Sequence, residues 1–253
     1  MRSKRSFRIG VVLAVAAGAL CAADDLPKGE AVLDRYIEVT GGKAAYSKLH
    51  SEITTGTMEF KAMGLKGKLT GYALEPDKRY TEIVLEGIGK IQEGSNGEVA
   101  WGMSAMQGPR VKEGDERAES LLQSKFNPDF TWRDLYKSAE TASVEQIDGK
   151  DCYKVVLTPK TGSPITKWYD KQSGLLTKMA LTSKSPMGEI QSDSAFSDYR
   201  KEGEITVAHK MVTHVATVEL VMTVENVQYN AEIPKDKFEI PEEVKALMNK
   251  TAK

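Results

Sequence analysis

The chain has 253 residues, 40% hydrophobic and 28% charged, and its 35 Lys+Arg nearly balance 36 Asp+Glu for a net charge of −1. Such a balance gives no electrostatic basis for nucleic-acid binding, where clustered positive charge supplies most of the non-specific affinity. With only two cysteines, Cys21 and Cys152, a disulfide-stapled scaffold is excluded and stability must come from burial.

At the N-terminus, Arg2, Lys4, Arg5 and Arg8 precede the apolar run Ile9 to Leu20, and small residues follow at Cys21-Ala22-Ala23. This is the pattern of a secretory signal peptide, residues 1–23, cleaved before Asp24. The run falls short of the ~20 residues needed to span a bilayer. Leu20 and Gly18 stand where a lipidated Cys21 would want a small residue and a leucine, so lipidation is not expected. Cleavage removes four basic side chains and moves the balance from −1 to −5. Residues 24–253 are then expected to form a single exported domain, a periplasmic monomer of a size that one large β-domain can fill.

Glu30 to Val39 reads as an amphipathic helix, with Val32, Leu33, Tyr36 and Ile37 at helical spacing and Gly41-Gly42 ending it. From Ser51 the period changes to two. Strands are expected at Ile53 to Phe60, Leu65 to Leu74, Arg79 to Leu85, Lys90 to Glu93 and Glu98 to Ser104. Asn96-Gly97 between the last two predicts a type I′ hairpin, since both residues accept positive φ. Along this last run Val99, Trp101 and Met103 form a bulky face and Ala100, Gly102 and Ser104 a bare one, against which something packs closely.

Between Glu113 and Glu140 the spacing is helical again. Ala118, Leu121, Leu122 and Phe126 make a stripe, Asn127-Pro128-Asp129 breaks it, and Thr131 with Asp134 predicts a capping box opening a helix at Trp132 to Tyr136. Phe126, Phe130, Trp132 and Tyr136 suit either core packing or a lid over an apolar cleft. Strands resume at Val144 to Ile147, Cys152 to Thr158, Ile165 to Tyr169, Gly174 to Ser183, Glu189 to Tyr199, Val207 to Thr213 and Val215 to Tyr229. Pro241 opens a terminal helix, Glu242 to Asn249.

Catalytic and metal motifs are not found. His209 and His214 lie five apart on an expected strand and so face opposite ways, and no convergent set of N or S ligands accompanies them. There is no Gly-x-Ser-x-Gly elbow, and Gly87 to Gly97 lacks the lysine pattern and strand-to-helix context of a phosphate loop. Neither catalytic residues nor a metal nor a cofactor is expected. What stands out is methionine: Met58, Met63, Met103, Met106, Met179, Met187, Met211 and Met222 are spread over the sheet, where they either fill an irregular core or line an apolar cavity. The apolar, glycine-rich turn at Gly102 to Pro109 and its echo at Ser185 to Glu189 favour a cavity. The ligand-lining residues expected on this reading are Trp101, Met103, Met106, Leu122, Phe126, Phe130, Trp132 and Met187.

The C-terminal third carries a resemblance. Trp168-Tyr169-Asp170-Lys171-Gln172-Ser173-Gly174-Leu175-Leu176, then Phe196-Ser197-Asp198-Tyr199-Arg200, then Ile233-Pro234 through Phe238 to Pro241, stand in an order that resembles the bacterial outer-membrane lipoprotein-sorting (LolA-like) proteins. The resemblance implies a mainly β, α+β fold: an unclosed antiparallel half-barrel whose concave apolar face, covered by short helices, accepts lipid or lipoprotein acyl chains. It implies a carrier rather than an enzyme, with Arg110, Arg79 and Lys66 as candidates for a polar hold on the cargo. Asp170 and Gly174 are read as turn formers. The alternative is an envelope protein-interaction or stress-sensing domain that keeps the fold without a ligand and binds an envelope protein partner.

Overall fold

The computed structural model describes residues 26–185 and 188–251. The leader expected at 1–23, and Met187, lie outside the described residues. Helix α1 (Gly29–Thr40) buries Val32, Leu33 and Ile37 along one side. Gly41 and Gly42 stop it at φ 154° and 80°, and the Gly42 N–H donates to the Ile37 carbonyl at 2.8 Å. A short α2 (Lys43–Tyr46) follows.

Thirteen strands then form a single sheet. The first meander is β1 (Ser51–Phe60), β2 (Leu65–Leu74), β3 (Lys78–Leu85), β4 (Gly89–Ser95), β5 (Ala100–Ser104) and β6 (Gly108–Val111). The second is β7 (Tyr136–Ile147), β8 (Lys150–Pro159), β9 (Ile165–Asp170), β10 (Leu176–Ser185), β11 (Gly188–Glu202), β12 (Ile205–Val215) and β13 (Val218–Tyr229). Helices α3 (Gly114–Gln123) and α4 (Trp132–Leu135) lie between the meanders, and α5 (Glu242–Thr251) ends the chain. All pairings are antiparallel, and β1 pairs with β13 to join the two meanders into one sheet. The sheet does not close, because β6 and β7 remain as edges, so the architecture is the unclosed half-barrel with helices.

A bulge at the central seam bends this sheet. Thr55 pairs with Asn226 and Gly56 with Val224, so the register skips one residue. Gly56 permits the approach, since a Cβ there would lie 2.0 Å from the Thr223 carbonyl oxygen.

Several local expectations change. The segment from Tyr136 to Glu140 is strand, not helix: pairing with β8 buries Tyr136 and Ala139 and overrides the helical propensity of its Lys, Ala and Glu residues. Thr131 makes no capping box with Asp134; its hydroxyl donates to the Asn127 carbonyl instead, at 3.2 Å. The Asn96-Gly97 hairpin exists, but Ser95 pairs with Ala100, leaving a four-residue loop in which Gly97 is at φ 95° and Asn96 is not at positive φ. The Asn96 side chain accepts from the Glu98 and Val99 N–H groups at 3.0 and 2.8 Å, an alternative to the two-residue turn. Gly108–Val111 forms an additional edge strand, and the run from Val215 to Tyr229 divides at Ala216, whose φ is 51°.

The turn after β9 behaves as its residues suggest. Asp170 Oδ1 accepts from the Gln172 and Ser173 N–H groups at 2.7 and 3.0 Å, and Gly174 takes φ 77°. Burial pushes the Asp170 carboxyl up, but these N–H donors and Lys150 outweigh it and hold it below the usual 3.8. A carboxyl depressed in the folded state stabilises above its unfolded value and loses that contribution as pH falls through the folded one. Asp170→Ala is therefore expected to cost about 1.5–3 kcal/mol at neutral pH. The melting temperatures of variant and parent should converge in acid below pH 3.8, as followed by circular dichroism.

Candidate functional site

Directly opposed residues of an antiparallel pair project to the same face. That rule sorts the sheet into two sides. Phe196, Met211, Met222, Met58, Gly67 and Leu85 are successive direct partners across β11, β12, β13, β1, β2 and β3, forming one transverse row. A second row runs through Met179, Ser194, Thr213, Leu220, Phe60 and Leu65. Val155 and Lys167 continue it on the far side of Met179. This is the inner face, because α1 and α4 pack their Val32, Leu33 and Trp132 against Val155, Leu157 and Tyr169 upon it.

The helices cover this face unequally. Under α1, α2 and α4 it is closed by two buried clusters, one around Tyr169 and one around Ile37, Tyr46 and Ile205. Farther along the strands, Met58, Phe60, Met179, Leu181, Met211, Leu220 and Met222 are only half-buried. Helix α3 spans this end, packing on β10 of one limb and β5 of the other. Its start is tied to the first limb, where Arg110 donates to Glu116 at 2.6 Å and stands 3.6 Å from Glu93. Its end brings Leu122 over Ile165 and Leu181, leaving a gap of only about 20 Å³. None of its residues is buried, so Ala118, Leu121 and Leu122 form a loosely held apolar stripe. An acidic first turn with Asp115 and Glu116 suits the helix start.

The residues expected to line a ligand site are dispersed. Leu122 meets the inner face. Phe126 and Phe130 share a separate cleft of about 410 Å³ with Tyr46, Leu49, Pro76 and Leu135, where Phe130 stacks on Tyr46 with centroids 5.6 Å apart. Trp132 is buried beneath α1. Trp101 and Met103 lie on the outer face, since Trp101 is the direct partner of Gly94 and Val111, and both pack towards Phe238 and Val244. Met106 is 76% exposed in the turn between β5 and β6. Of the candidate polar holds, Arg110 is engaged at the start of α3, while Arg79 and Lys66 are exposed. The bare side of β5 faces inward, and the Glu93 and Arg110 side chains fill the space over Gly102.

The individual inner-face side chains escape sequence reasoning, although the methionine surplus points at them: Met58, Met179, Met211 and Met222 share this face. A buried ionic group there is also missed. Lys167, on β9 between Val155 and Met179, forms an ion pair with Asp129 from the loop between α3 and α4. Burial pulls the Lys167 ammonium down, but the Asp129 carboxylate beside it leads the contributions that outweigh burial and hold its pKa above the usual lysine value. Tyr36 and Tyr136 pack with Tyr169 on this face, and burial pushes the phenols of Tyr36, Tyr136, Tyr169 and Tyr199 up.

A family model described as “-like: Uncharacterized protein” matches residues 103–241, more than half of the chain. The chain belongs to that family. A search of curated proteins finds no match. Among solved structures, a DUF1329 family protein from Desulfovibrio piger is similar, at 18% identity and a TM-score of 0.58, covering 85% of this chain and 98% of its own. A putative outer membrane lipoprotein-sorting protein domain from Vibrio parahaemolyticus is similar at 15% identity and a TM-score of 0.54, covering 83% of this chain and 97% of its own. A LolA superfamily protein from Nitrosomonas europaea is 12% identical with a TM-score of 0.56, covering 85% and 99%. The fold is LolA-like.

Proposed function

We propose that this family member is a periplasmic carrier that binds lipid or lipoprotein acyl chains on the inner face of its half-barrel, and that it is not an enzyme. Residues 24–253 form the single working domain, exported by the leader at 1–23. The observation that carries this reading is the half-buried apolar surface of Met211, Met222, Met58 and Phe60 on the inner face of a sheet whose two limbs are bridged by a helix with no buried residue of its own. Folded domains do not usually leave so much contiguous apolar surface half covered without a use for it. Methionine suits ligands of variable shape because its side chain is unbranched and flexible. Each CH₂ buried there is worth ~0.8 kcal/mol, so one acyl chain binds appreciably. Leu122 and its neighbours on α3 yield when the chain enters.

Native mass spectrometry of the protein purified from a periplasmic extract is expected to show mass increments of co-purifying lipid that organic extraction removes. Titration of the delipidated protein with a fluorescent fatty acid should then restore one-to-one binding. A bare polypeptide mass together with no uptake of the probe refutes the carrier reading.

A further inference from the structure

Lys167 is an unusual residue for this sheet. Its neighbours across the strands are Val155 and Met179, and its own side chain is 7% exposed. An ammonium in such surroundings stays charged only if an anion stands beside it, and Asp129 supplies that anion. The two members of the pair are held very differently. Lys167 is fixed on β9, paired on both sides by β8 and β10, whereas Asp129 belongs to the Asn127-Pro128-Asp129 connection between α3 and α4 and has a side chain 28% exposed. The cation is part of the wall and the carboxylate part of the cover. Beside them, the Tyr169 hydroxyl is buried and has no hydrogen-bond partner among the described residues. Tyr169 stands two residues along β9 from Lys167 and so on the same face of the strand.

An unused buried donor next to a fixed ammonium is a costly arrangement unless something accepts from it. We propose that Lys167 and Tyr169 form a carboxylate-binding subsite at the closed end of the inner face, filled at rest by Asp129 and taken over by the carboxylate of a long-chain fatty acid whose tail lies along Met179 and the methionine row. This rests on the carrier reading above and narrows its cargo to amphiphiles with an acidic head. The group now seated on Lys167 is itself a carboxylate, which is why a carboxylate head is favoured over a bulkier phosphate. When the ligand enters, Asp129 moves out to water with its connecting segment, and the ammonium keeps a partner throughout. Tyr169 donates to the second carboxylate oxygen.

The test compares palmitic acid, hexadecanol and a lysophosphatidic acid as competitors against a fluorescent fatty acid in delipidated wild-type protein, Asp129→Asn and Lys167→Met. Wild type should prefer the acid to the alcohol by roughly fivefold, the worth of the one hydrogen bond Tyr169 adds once the ligand carboxylate has replaced Asp129 on Lys167. The lysophosphatidic acid should compete more weakly than palmitic acid. Asp129→Asn removes the resident anion, so affinity for the acid should rise while affinity for the alcohol stays the same. Lys167→Met, checked for folding by circular dichroism, should bind acid and alcohol alike. Equal binding of acid and alcohol by wild type overturns the subsite but leaves the carrier reading intact, and stronger competition by the phosphate head overturns the carboxylate assignment. Failure of all three competitors and of the probe to bind removes the carrier reading, and the subsite falls with it.

Discussion

Replacing Met222 with glutamate is expected to reduce fatty-acid affinity by a hundredfold or more while leaving the protein folded. Met222 stands in the middle of the inner-face row, with Met58 as its direct partner on β1 and Met211 on β12. The side chain is half-buried, so without ligand a glutamate there keeps access to water. Its effect on stability should stay near 1 kcal/mol. Binding changes that balance. An acyl chain laid across the row strips water from the carboxylate with no cation among its strand partners to compensate, at a cost of several kcal/mol. Each 1.4 kcal/mol is a factor of about ten in affinity, so the loss reaches two orders of magnitude or more. Met222→Leu, which keeps an apolar side chain of similar volume, should bind within a few-fold of wild type. Met106→Glu, in an exposed turn, should bind like wild type. Titration of the fluorescent probe alongside thermal melting separates the outcomes, and unchanged affinity in Met222→Glu would show that the ligand lies elsewhere.

The sequence reveals the scaffold better than the site, for a physical reason. Strand alternation and turn residues are local signals: Gly41-Gly42 ends a helix, Asp170 and Gly174 shape a turn, and both are read without knowing what lies nearby. Which side of each strand faces the helices is a non-local property, fixed by register. The apolar, glycine-rich turn at Gly102 to Pro109 points to Trp101 and Met103, yet the chain of pairings from Tyr80 through Gly94 to Trp101 and Val111 puts them outside. Conversely Met58, Met211 and Met222 lie far apart in sequence and meet only because β1 joins β13 at the seam. The strand at Tyr136 is not legible because its Lys, Ala and Glu residues favour helix in isolation, and only pairing with β8 decides otherwise. Alternation puts Lys167 on one face with Ile165 and Tyr169, but it does not say which face that is or that an anion meets the lysine there. It is the loop carrying Asp129, distant from β9 in sequence, that supplies the partner of this buried cation.

Trp101→Ala should instead be a stability mutation, costing about 3–5 kcal/mol. The indole is 2% exposed on the outer face, packed in one cluster with Tyr80, Phe238 and the fully buried Val244 of α5. It lies across Gly94, where a Cβ would come within 2.4 Å of the ring, so the sheet is locally shaped around it. No smaller side chain fills that volume, and the segment from Ile233 to Ile240 together with α5 loses the anchor that holds it on β3 and β5. For a chain of this size the expected fall in melting temperature is roughly 10 °C or more. Trp101→Ala and Val244→Ala should be non-additive, because each enlarges the same space. Below the lowered transition, however, fatty-acid affinity should match wild type, since the outer cleft beside Trp101 is lined mostly by Gln92, Asp236, Lys237, Glu239 and Glu242 rather than by apolar groups. A selective loss of affinity in folded Trp101→Ala, without a comparable loss in Met222→Glu, would move the acyl site to the outer face. The two substitutions thus read opposite sides of one sheet, and their contrast tests the face assignment on which the carrier reading depends.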